Sequence, residues 1–305
     1  IQSLYAVPVI HSNEDADHLG SLVREANEYQ RHGYRGQAVA LLEQADQLAA
    51  RLGIDQNDTG LQLAQLYFEL GEYPLSQKLT TRILNQEPPA GIQATALNIL
   101  ATVESTLNSP KDATVSFIKA YQASVKSTDK VMAVTILANH LRHELDYENA
   151  SVALEIGQRL LSLSTAQGTL AELVEVQISI GELFIRLADQ TGEFPYYKYA
   201  LSILQRAESA AESLGQVRLQ SYAIGHQGLL LVNQDNFDEG IQRLNKANFL
   251  ANSSRSFESA YLWQWQLARA HRRQGKIDQA IAGYQTAIAT LEKVRTELIN
   301  GSPFT

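Results

Sequence analysis

The chain has 305 residues, of which 45% are apolar and 19% are charged, a mixture typical of a globular protein with a continuous core. Its net charge of −8 argues against a broad nucleic-acid-binding surface, and the lack of cysteine excludes disulfides, thiol catalysis and cysteine-ligated zinc within the chain. No apolar run approaches the roughly 20 residues of a membrane-spanning helix, so we expect no membrane span.

Residues 1–18 are predicted to form an N-terminal extension. The sequence starts at Ile1 rather than at an initiator methionine, which indicates that a leader or another preceding segment has been removed. The apolar stretch 4–10 contains Pro8 and is therefore a poor helix. We expect this stretch to pack on the first repeat or to be disordered, and a leader remnant is the alternative.

From residue 19 onwards, small side chains recur in two interlocked series that indicate an internal repeat. In chain order, the first series contains Ala26, Ala64, Ala101, Ala138, Gly181, Gly228 and Ala268. The second series contains Ala38, Ser76, Ala113, Ala150, Ala200, Gly240 and Ala280. The pattern predicts seven helical hairpins whose small residues lie where two helices touch, because close backbone approach leaves no space for larger side chains.

The predicted array covers residues 19–299 and is followed by a tail of residues 300–305. Its seven repeats are predicted, in chain order, at residues 19–53, 56–90, 91–126, 129–168, 170–215, 217–254 and 256–299. The spacing of the second series is longest between Ala150 and Ala200. We assign the extra residues to a lengthened turn in the fifth hairpin, within Asp189–Tyr197, because Gly192 and Pro195 both interrupt helices.

The repeats resemble the tetratricopeptide repeat (TPR) family, most completely at Leu63, Ala64, Tyr67, Gly71, Tyr73 and Pro88. The resemblance implies an all-α fold, a right-handed solenoid of about seven helical hairpins that ends in a long C-terminal helix. It also implies that a protein or peptide binds in a concave groove lined by the first helix of each hairpin.

The end of the array has a second resemblance. The run 280–288, together with Leu291, Glu292 and residues 295–298, is similar to the stretch that precedes the protease-like domain of bacterial CHAT proteins (caspase HetF associated with TPRs). In that family the repeats sense or bind a partner, and a His–Cys pair in the following domain carries the chemistry. That chemistry does not carry over to a chain without cysteine, whereas the binding role does.

The TPR resemblance assigns the partner-binding groove to particular residues, counted from the small residue of each first helix. The groove residues are Asn27, Gln65, Asn98, Asn139, Arg142, Trp265, Arg269 and Arg272. Asn139 matches the asparagine with which lengthened TPRs hold a peptide backbone, since one amide can both donate and accept a hydrogen bond.

The last hairpin carries the sharpest local feature of this groove. Trp265, Arg269 and Arg272 follow each other at steps of four and three, so they share one helical face. Tryptophan and arginine are enriched among the residues that dominate binding energy at protein interfaces. We expect Trp265 to be exposed and Trp263 to be buried; the alternative is that both are core residues.

An apolar stripe continues along the last helix beyond the end of the repeat pattern. It contains Ile277, Ile281, Tyr284, Ile288, Leu291, Val294 and Leu298. Because a terminal repeat normally presents a polar outer face, the stripe predicts contact with a following domain, with a second copy or with the preceding hairpin.

The sequence contains no signature of catalysis or of cofactor binding, and His140, His143 and Glu144 lack the His-Glu-x-x-His order of a zinc site. We therefore expect no catalytic, cofactor or metal site and no nucleic-acid partner. The favoured interpretation is a protein- or peptide-binding TPR module, the regulatory or partner-recognition part of a larger bacterial protein, in the cytoplasm rather than exported. The alternatives are a self-associating scaffold and a receptor for a small signalling peptide.

Overall fold

A computed structural model describes residues 13–31, 34–164 and 173–299, and these residues form fourteen α-helices. In chain order the helices are α1 (Asn13–Arg31), α2 (Arg35–Leu52), α3 (Asn57–Glu69), α4 (Tyr73–Leu84), α5 (Ala90–Thr106), α6 (Pro110–Ser127), α7 (Lys130–Asp146), α8 (Ala150–Ser164), α9 (Val174–Thr191), α10 (Pro195–Ser213), α11 (Val217–Asn233), α12 (Phe237–Ser253), α13 (Phe257–Arg273) and α14 (Ile277–Ile299).

The helices pair as consecutive hairpins. A first helix packs against the second helix that follows it, as α5 does against α6 and α11 against α12. The second helix of one hairpin then packs on the first helix of the next, as α12 does on α13. The prediction of an all-α, TPR-like solenoid of hairpins with a long C-terminal helix is confirmed. The described residues divide into two compact units, of which unit 1 ends at Met132 and unit 2 begins at Ala133.

Small residues lie where paired helices touch, as the sequence predicts. A Cβ atom added to Gly228 of α11 would lie 3.0 Å from the backbone oxygen of Gly240 in α12. A Cβ atom added to Gly283 of α14 would lie 2.9 Å from Cβ of Ala268 in α13. Both distances are shorter than ordinary van der Waals contact, so a larger side chain at these positions would push the paired helices apart.

The turn between the paired helices is also repeated. In five hairpins a residue with positive φ precedes the buried small residue of the second helix by five positions. These turn residues are Gly71, Asn108, Glu148, Asp235 and Gly275, with φ values of 81°, 61°, 57°, 60° and 75°. Glycine adopts this left-handed backbone without strain, whereas the other three residues do so at a cost that the packing of the hairpin offsets.

The sequence-based register of the fourth hairpin is wrong by three residues. Ala150 is exposed, and Ala153 is the small residue of α8 that is fully buried. Glu148 has positive φ and lies five positions before Ala153, which agrees with the other turns. The sequence did not separate the two alanines because both are small and because the turn residue is not a glycine.

The predicted insertion in the fifth hairpin turn is also wrong. Only residues 192–194 separate α9 from α10, as many as separate α11 from α12. Gly181 does contact α10, because a Cβ atom there would lie 2.5 Å from Cγ of Leu204. However, the buried Ala188 lies twelve positions before Ala200, the same spacing as between Gly228 and Gly240. Ala188, rather than Gly181, is therefore the residue of α9 that corresponds to Gly228. In the sequence the extra residues fall between the end of α8 at Ser164 and the start of α9 at Val174, where residues 165–172 lie outside the described residues.

The ends of the array differ slightly from the prediction. Helix α1 includes residues 13–18, which the sequence analysis assigned to the N-terminal extension. Glu14 and Asp15 lie in its first turn, where negative charge favours a helix N-terminus. The apolar stretch 4–10 and the tail 300–305 lie outside the described residues. Of the helices described, none has the length and apolar character needed to cross a bilayer.

Candidate functional site

A groove of about 550 Å³ lies within unit 2 on the first helices α9, α11 and α13. Its lining consists of Glu182, Ile185, Arg186, Asp189, Tyr222, His226, Leu229, Val232, Asn233, Leu262, Gln266, Arg269 and Arg273. Apolar side chains therefore alternate with hydrogen-bonding and charged ones, a combination typical of ligand sites on proteins.

The lining follows the repeat. Four residues of α13 line the groove, and each lies forty positions after a lining residue of α11. The pairs are Tyr222 with Leu262, His226 with Gln266, Leu229 with Arg269, and Asn233 with Arg273. Consecutive hairpins thus present equivalent helical positions to one surface, with a different side chain at each position.

An aromatic cluster supports the groove from below. The Trp263 side chain is fully buried, and its Nε1 donates a hydrogen bond of 2.9 Å to Oγ of Ser221. The rings of Tyr222 and His226 meet the indole edge to face, with centroids at 5.7 and 5.5 Å. Loss of solvation lowers the pKa of His226, although the charge of Glu182 opposes this effect, and burial thus favours the neutral imidazole.

Polar contacts between neighbouring hairpins fix the walls of the groove. Arg186 of α9 forms an ion pair of 2.6 Å with Asp146 of α7. Asn233 of α11 donates a hydrogen bond of 3.0 Å to Oδ2 of Asp189. Arg273 of α13 forms an ion pair of 2.7 Å with Asp235. Because each contact joins two consecutive hairpins, the lining side chains are held in place before a ligand arrives.

A second cavity of about 510 Å³ adjoins this surface and is lined by Trp265, Arg269, Arg272 and Arg273. The indole of Trp265 is 42% exposed, and Cζ of Arg269 lies 4.8 Å from the centroid of that ring. Nη1 of Arg269 also donates a hydrogen bond of 3.2 Å to Oε1 of Gln266. Arg269 and Arg273 line both cavities.

In unit 1, the structure places three of the predicted groove residues on first helices. Asn27 lies in α1, Gln65 in α3 and Asn98 in α5, and all three are half-buried. Nε2 of Gln65 donates a hydrogen bond of 3.1 Å to Glu69 of the same helix. These three residues stay a prediction as binding residues.

In unit 2, Asn139 and Arg142 lie together on α7. Nη1 of Arg142 donates to Oδ1 of Asn139 at 3.0 Å, and Nη2 donates to Oγ of Ser179 in α9 at 2.7 Å. Arg142 therefore links two hairpins. Asn139 is half-buried on this first helix, and its role toward a peptide stays a prediction.

The remaining three predicted residues, Trp265, Arg269 and Arg272, do meet at one cavity. Of these three, only Arg269 also lines the larger groove. The other residues of α13 that line the groove include Leu262 and Gln266, which were not predicted. Sequence reasoning missed His226, Leu229 and Gln266. The forty-residue offset between equivalent positions relates Leu229 to the predicted Arg269, whereas His226 and Gln266, which correspond to each other, match none of the eight predicted groove residues.

Across residues 13–31, 34–164 and 173–299, no three His, Asp or Glu side chains are grouped so that they could hold a metal ion. His140 and Glu144 instead form a buried contact of 3.0 Å within α7. Oε2 of Glu144 accepts a hydrogen bond of 2.7 Å from Asn149. These contacts fit a structural role in the fourth hairpin.

Comparison with known proteins shows which folds resemble that of this chain. No protein-family model matches the chain, and no curated protein is similar enough to count as a relative. Solved structures do match at low sequence identity. The chain is a TPR-like helical repeat protein.

Three of these structures illustrate the likeness. The first is a signal transduction ATPase with numerous domains and a tetratricopeptide repeat sensor from Pyrococcus horikoshii, with a TM-score of 0.64 and 15% identity over 93% of this chain and 44% of that one. The second is the Rap conjugation gene regulator of plasmid pLS20 in complex with the Phr* peptide, with a TM-score of 0.61 and 13% identity. That match covers 97% of this chain and 80% of the regulator. The third is aspartyl phosphate phosphatase F from Bacillus subtilis, with a TM-score of 0.51 and 16% identity. That match covers 96% of this chain and 77% of the phosphatase.

At such low sequence identity, these matches show similarity of fold alone. They do not test the resemblance of residues 280–298 to CHAT proteins, which stays a prediction.

Proposed function

We propose that the chain is a protein- or peptide-binding module whose ligand lies in the groove on α9, α11 and α13. The observation that supports this most strongly is the groove itself, because its apolar base and polar walls are presented by three consecutive first helices. In this proposal the chain recognises a partner as the regulatory part of a larger bacterial protein and performs no catalysis. The proposed location is the cytoplasm.

The groove has the chemistry that an extended peptide requires. Leu229 and Leu262 offer apolar surface for side chains, while the amides of Asn233 and Gln266 can pair with a peptide backbone. A preformed wall lowers the entropic cost of binding, since the contacts between hairpins already hold its side chains.

Fold similarity supports the proposal without identifying the ligand. The Rap conjugation gene regulator has a similar fold and is described in complex with a peptide. Because unrelated functions share folds, the argument for this chain rests on its own groove.

A substitution that fills the groove provides the test. We expect Gln266→Trp to abolish peptide binding, because Gln266 lies half-exposed in the lining and an indole would occupy the space of the ligand. The measurement is selection of random heptapeptides displayed on phage against the wild-type chain, followed by binding of the enriched peptides to each variant. Gln242→Trp is the matched control, since Gln242 is exposed on the second helix α12.

Enrichment of related peptides that bind the wild type and Gln242→Trp, but not Gln266→Trp, supports the proposal. If the wild type enriches no more than an unrelated protein, or if Gln266→Trp binds equally well, the groove is not the binding site. Circular dichroism must show unchanged helix content in both variants for this comparison.

A second candidate function, self-association, is favoured by the outer face of α14. Ile277, Ile281, Ile288 and Leu291 are all exposed. The residues that correspond to the first two, Phe237 and Ile241 of α12, pack against the cluster around Trp263. The face of α14 thus has the apolar character of a helix that is normally covered.

Light scattering over a range of concentrations tests this candidate. Association through α14 predicts dimers that Ile281→Asp dissociates, because an aspartate would lose its hydration in the contact. Phe249→Asp is the control, since Phe249 is 70% exposed on α12. A concentration-independent monomer in the wild type would rule out self-association through this face and leave groove binding as the function.

A further inference from the structure

The outer face of α6 in unit 1 carries a stripe of exposed aliphatic residues. Val115, Ile118 and Val125 are 49%, 45% and 55% exposed, whereas Phe117 on the other side of the helix is buried in the array. Together with the exposed Gln122, the three aliphatic residues follow each other at steps of three, four and three. That spacing forms a straight seam along one side of the helix, the arrangement through which two helices pack in a coiled coil.

No other second helix in the described part of the chain has large aliphatic residues at the positions of this stripe. Val115, Ile118 and Val125 lie two, five and twelve positions after Ala113, the small residue of α6. The corresponding residues are Ser202, Gln205 and Glu212 in α10 and Gln242, Asn245 and Asn252 in α12, and all six are exposed. Packing within the array therefore does not require aliphatic side chains at these positions.

Lysines flank the stripe. Lys119 and Lys126 each directly follow a residue of the stripe. Lys111 lies four positions before Val115, and all three lysines are exposed. The only acidic residue of α6 is Asp112, so the helix has positive charge in a chain of net charge −8. Because the charges beside an aliphatic seam set which helices pair, the lysines favour a partner helix with glutamate or aspartate opposite them.

The same features disfavour two other occupants. If a second copy packed its own α6 antiparallel on this one, the lysine flanks of both helices would come together, and like charges across an interface are unfavourable. Helices that bind a membrane surface carry tryptophan, phenylalanine or leucine on the apolar face, whereas this stripe consists of valine and isoleucine. Valine and isoleucine are stiff side chains that lose little rotamer freedom on burial, which suits a contact between helices.

We propose that the outer face of α6 is a docking surface for an amphipathic helix of a partner protein. The aliphatic seam of that helix packs on Val115, Ile118 and Val125, and its flanking carboxylates pair with Lys119 and Lys126. The inference goes beyond the proposed function, because this surface lies in unit 1 and shares no residue with the groove of unit 2. The chain would then bind two elements by different chemistry, an extended peptide in the groove and a helix on α6.

A library of helices tests this inference. The probe is a stable three-helix scaffold displayed on phage, in which one exposed helix carries leucine at the seam positions. The positions that flank this seam are randomised among glutamate, glutamine and lysine. The library is selected against the full wild-type chain, and the affinity of each enriched helix is measured at low and at physiological salt, because a charge contact weakens as salt rises.

Two variants of α6 separate the stripe from its flanks. Val115→Gln, Ile118→Gln introduces polar residues like those that α10 and α12 expose at these positions, so we expect the fold to be kept and circular dichroism to be unchanged. Lys119→Glu, Lys126→Glu reverses the flanking charge and leaves the stripe intact. Phe249→Gln is the matched control, since it removes an exposed apolar side chain from α12 instead.

We expect the wild type to enrich helices with acidic flanks. The glutamine variant of the stripe should bind these helices at least tenfold more weakly, and Phe249→Gln should bind them as the wild type does. The charge-reversed variant should instead prefer helices with lysine flanks.

The inference is overturned if no helix is enriched, if the enriched helices have neutral or basic flanks, or if binding persists in the glutamine variant. Dimers of the wild type that the glutamine variant dissociates would assign the face to a second copy. Binding to vesicles that contain phosphatidylserine, if the same variant abolished it, would assign the face to a membrane. Either result also overturns the inference. None of these results decides the proposed function, because the heptapeptide selection and Gln266→Trp test the groove of unit 2 separately.

Discussion

Replacing Gly225 with alanine is expected to destabilise unit 2 by about 3 kcal/mol, the upper part of the range for overpacking a core. Gly225 lies in α11 directly against the buried indole of Trp263. A Cβ atom there would lie 2.4 Å from Cη2 and from Cζ2 of that ring. The ring is stiff and its Nε1 is bonded to Ser221, so the clash forces α11 and α13 apart. Denaturant unfolding followed by near-ultraviolet circular dichroism measures the loss.

Gly36→Ala is the matched control for this change. Gly36 lies in α2, and a Cβ atom there would have no neighbour within 4 Å. Alanine favours a helix over glycine by up to about 1 kcal/mol, so this variant should be as stable as the wild type or more so. If Gly225→Ala proved as stable as Gly36→Ala, the close packing of α11 on Trp263 would be wrong.

Replacing Phe117 with alanine is expected to cost unit 1 about 3–5 kcal/mol, the usual range for removing a buried phenylalanine. Phe117 is 1% exposed in α6, at the position of the large residue that lies between the small ones of a second helix. Its removal leaves a cavity that Ala113 and Ala120, both fully buried, are too short to fill. Loss of helix signal at lower denaturant concentration measures the effect.

The neighbouring Ile118 provides a control on the same helix. Its side chain is 45% exposed, so Ile118→Ala should change the free energy of unfolding by no more than about 0.5 kcal/mol. Similar losses for Phe117→Ala and Ile118→Ala would contradict the orientation of α6. Because interactions in a repeat array are made mainly between neighbours, we expect the hairpins adjoining α6 to be the most affected.

Much of the fold could be predicted because close helix contacts limit side-chain size. Gly228, Gly240 and Ala268 identify their hairpins from sequence alone, since few other residues fit a contact of 3 Å. The fourth hairpin shows where this signal fails. Ala150 and Ala153 are equally small, and the structure separates them by the burial of Ala153 and by the positive φ of Glu148.

The site was harder to predict than the fold. Trp263 and Trp265 are two positions apart in one helix, so one is buried and the other exposed, and the sequence analysis favoured the correct assignment. The physical basis lies in another hairpin, where Gly225 provides the space that the indole of Trp263 fills. The groove face through Gln266 was missed because a lining position tolerates many side chains and therefore leaves no compositional pattern.

The forty-residue offset between lining positions has a consequence for how such a protein changes its partner. The small residues where paired helices touch, such as Gly228 and Gly240, are distinct from a lining residue such as Gln266, which is hydrogen-bonded to Arg269 of its own helix. Substitutions at the second kind of position can accumulate one hairpin at a time without loosening the scaffold. New specificities can therefore evolve, or be engineered, by exchanging a few outward-facing side chains at a fixed interval along the chain.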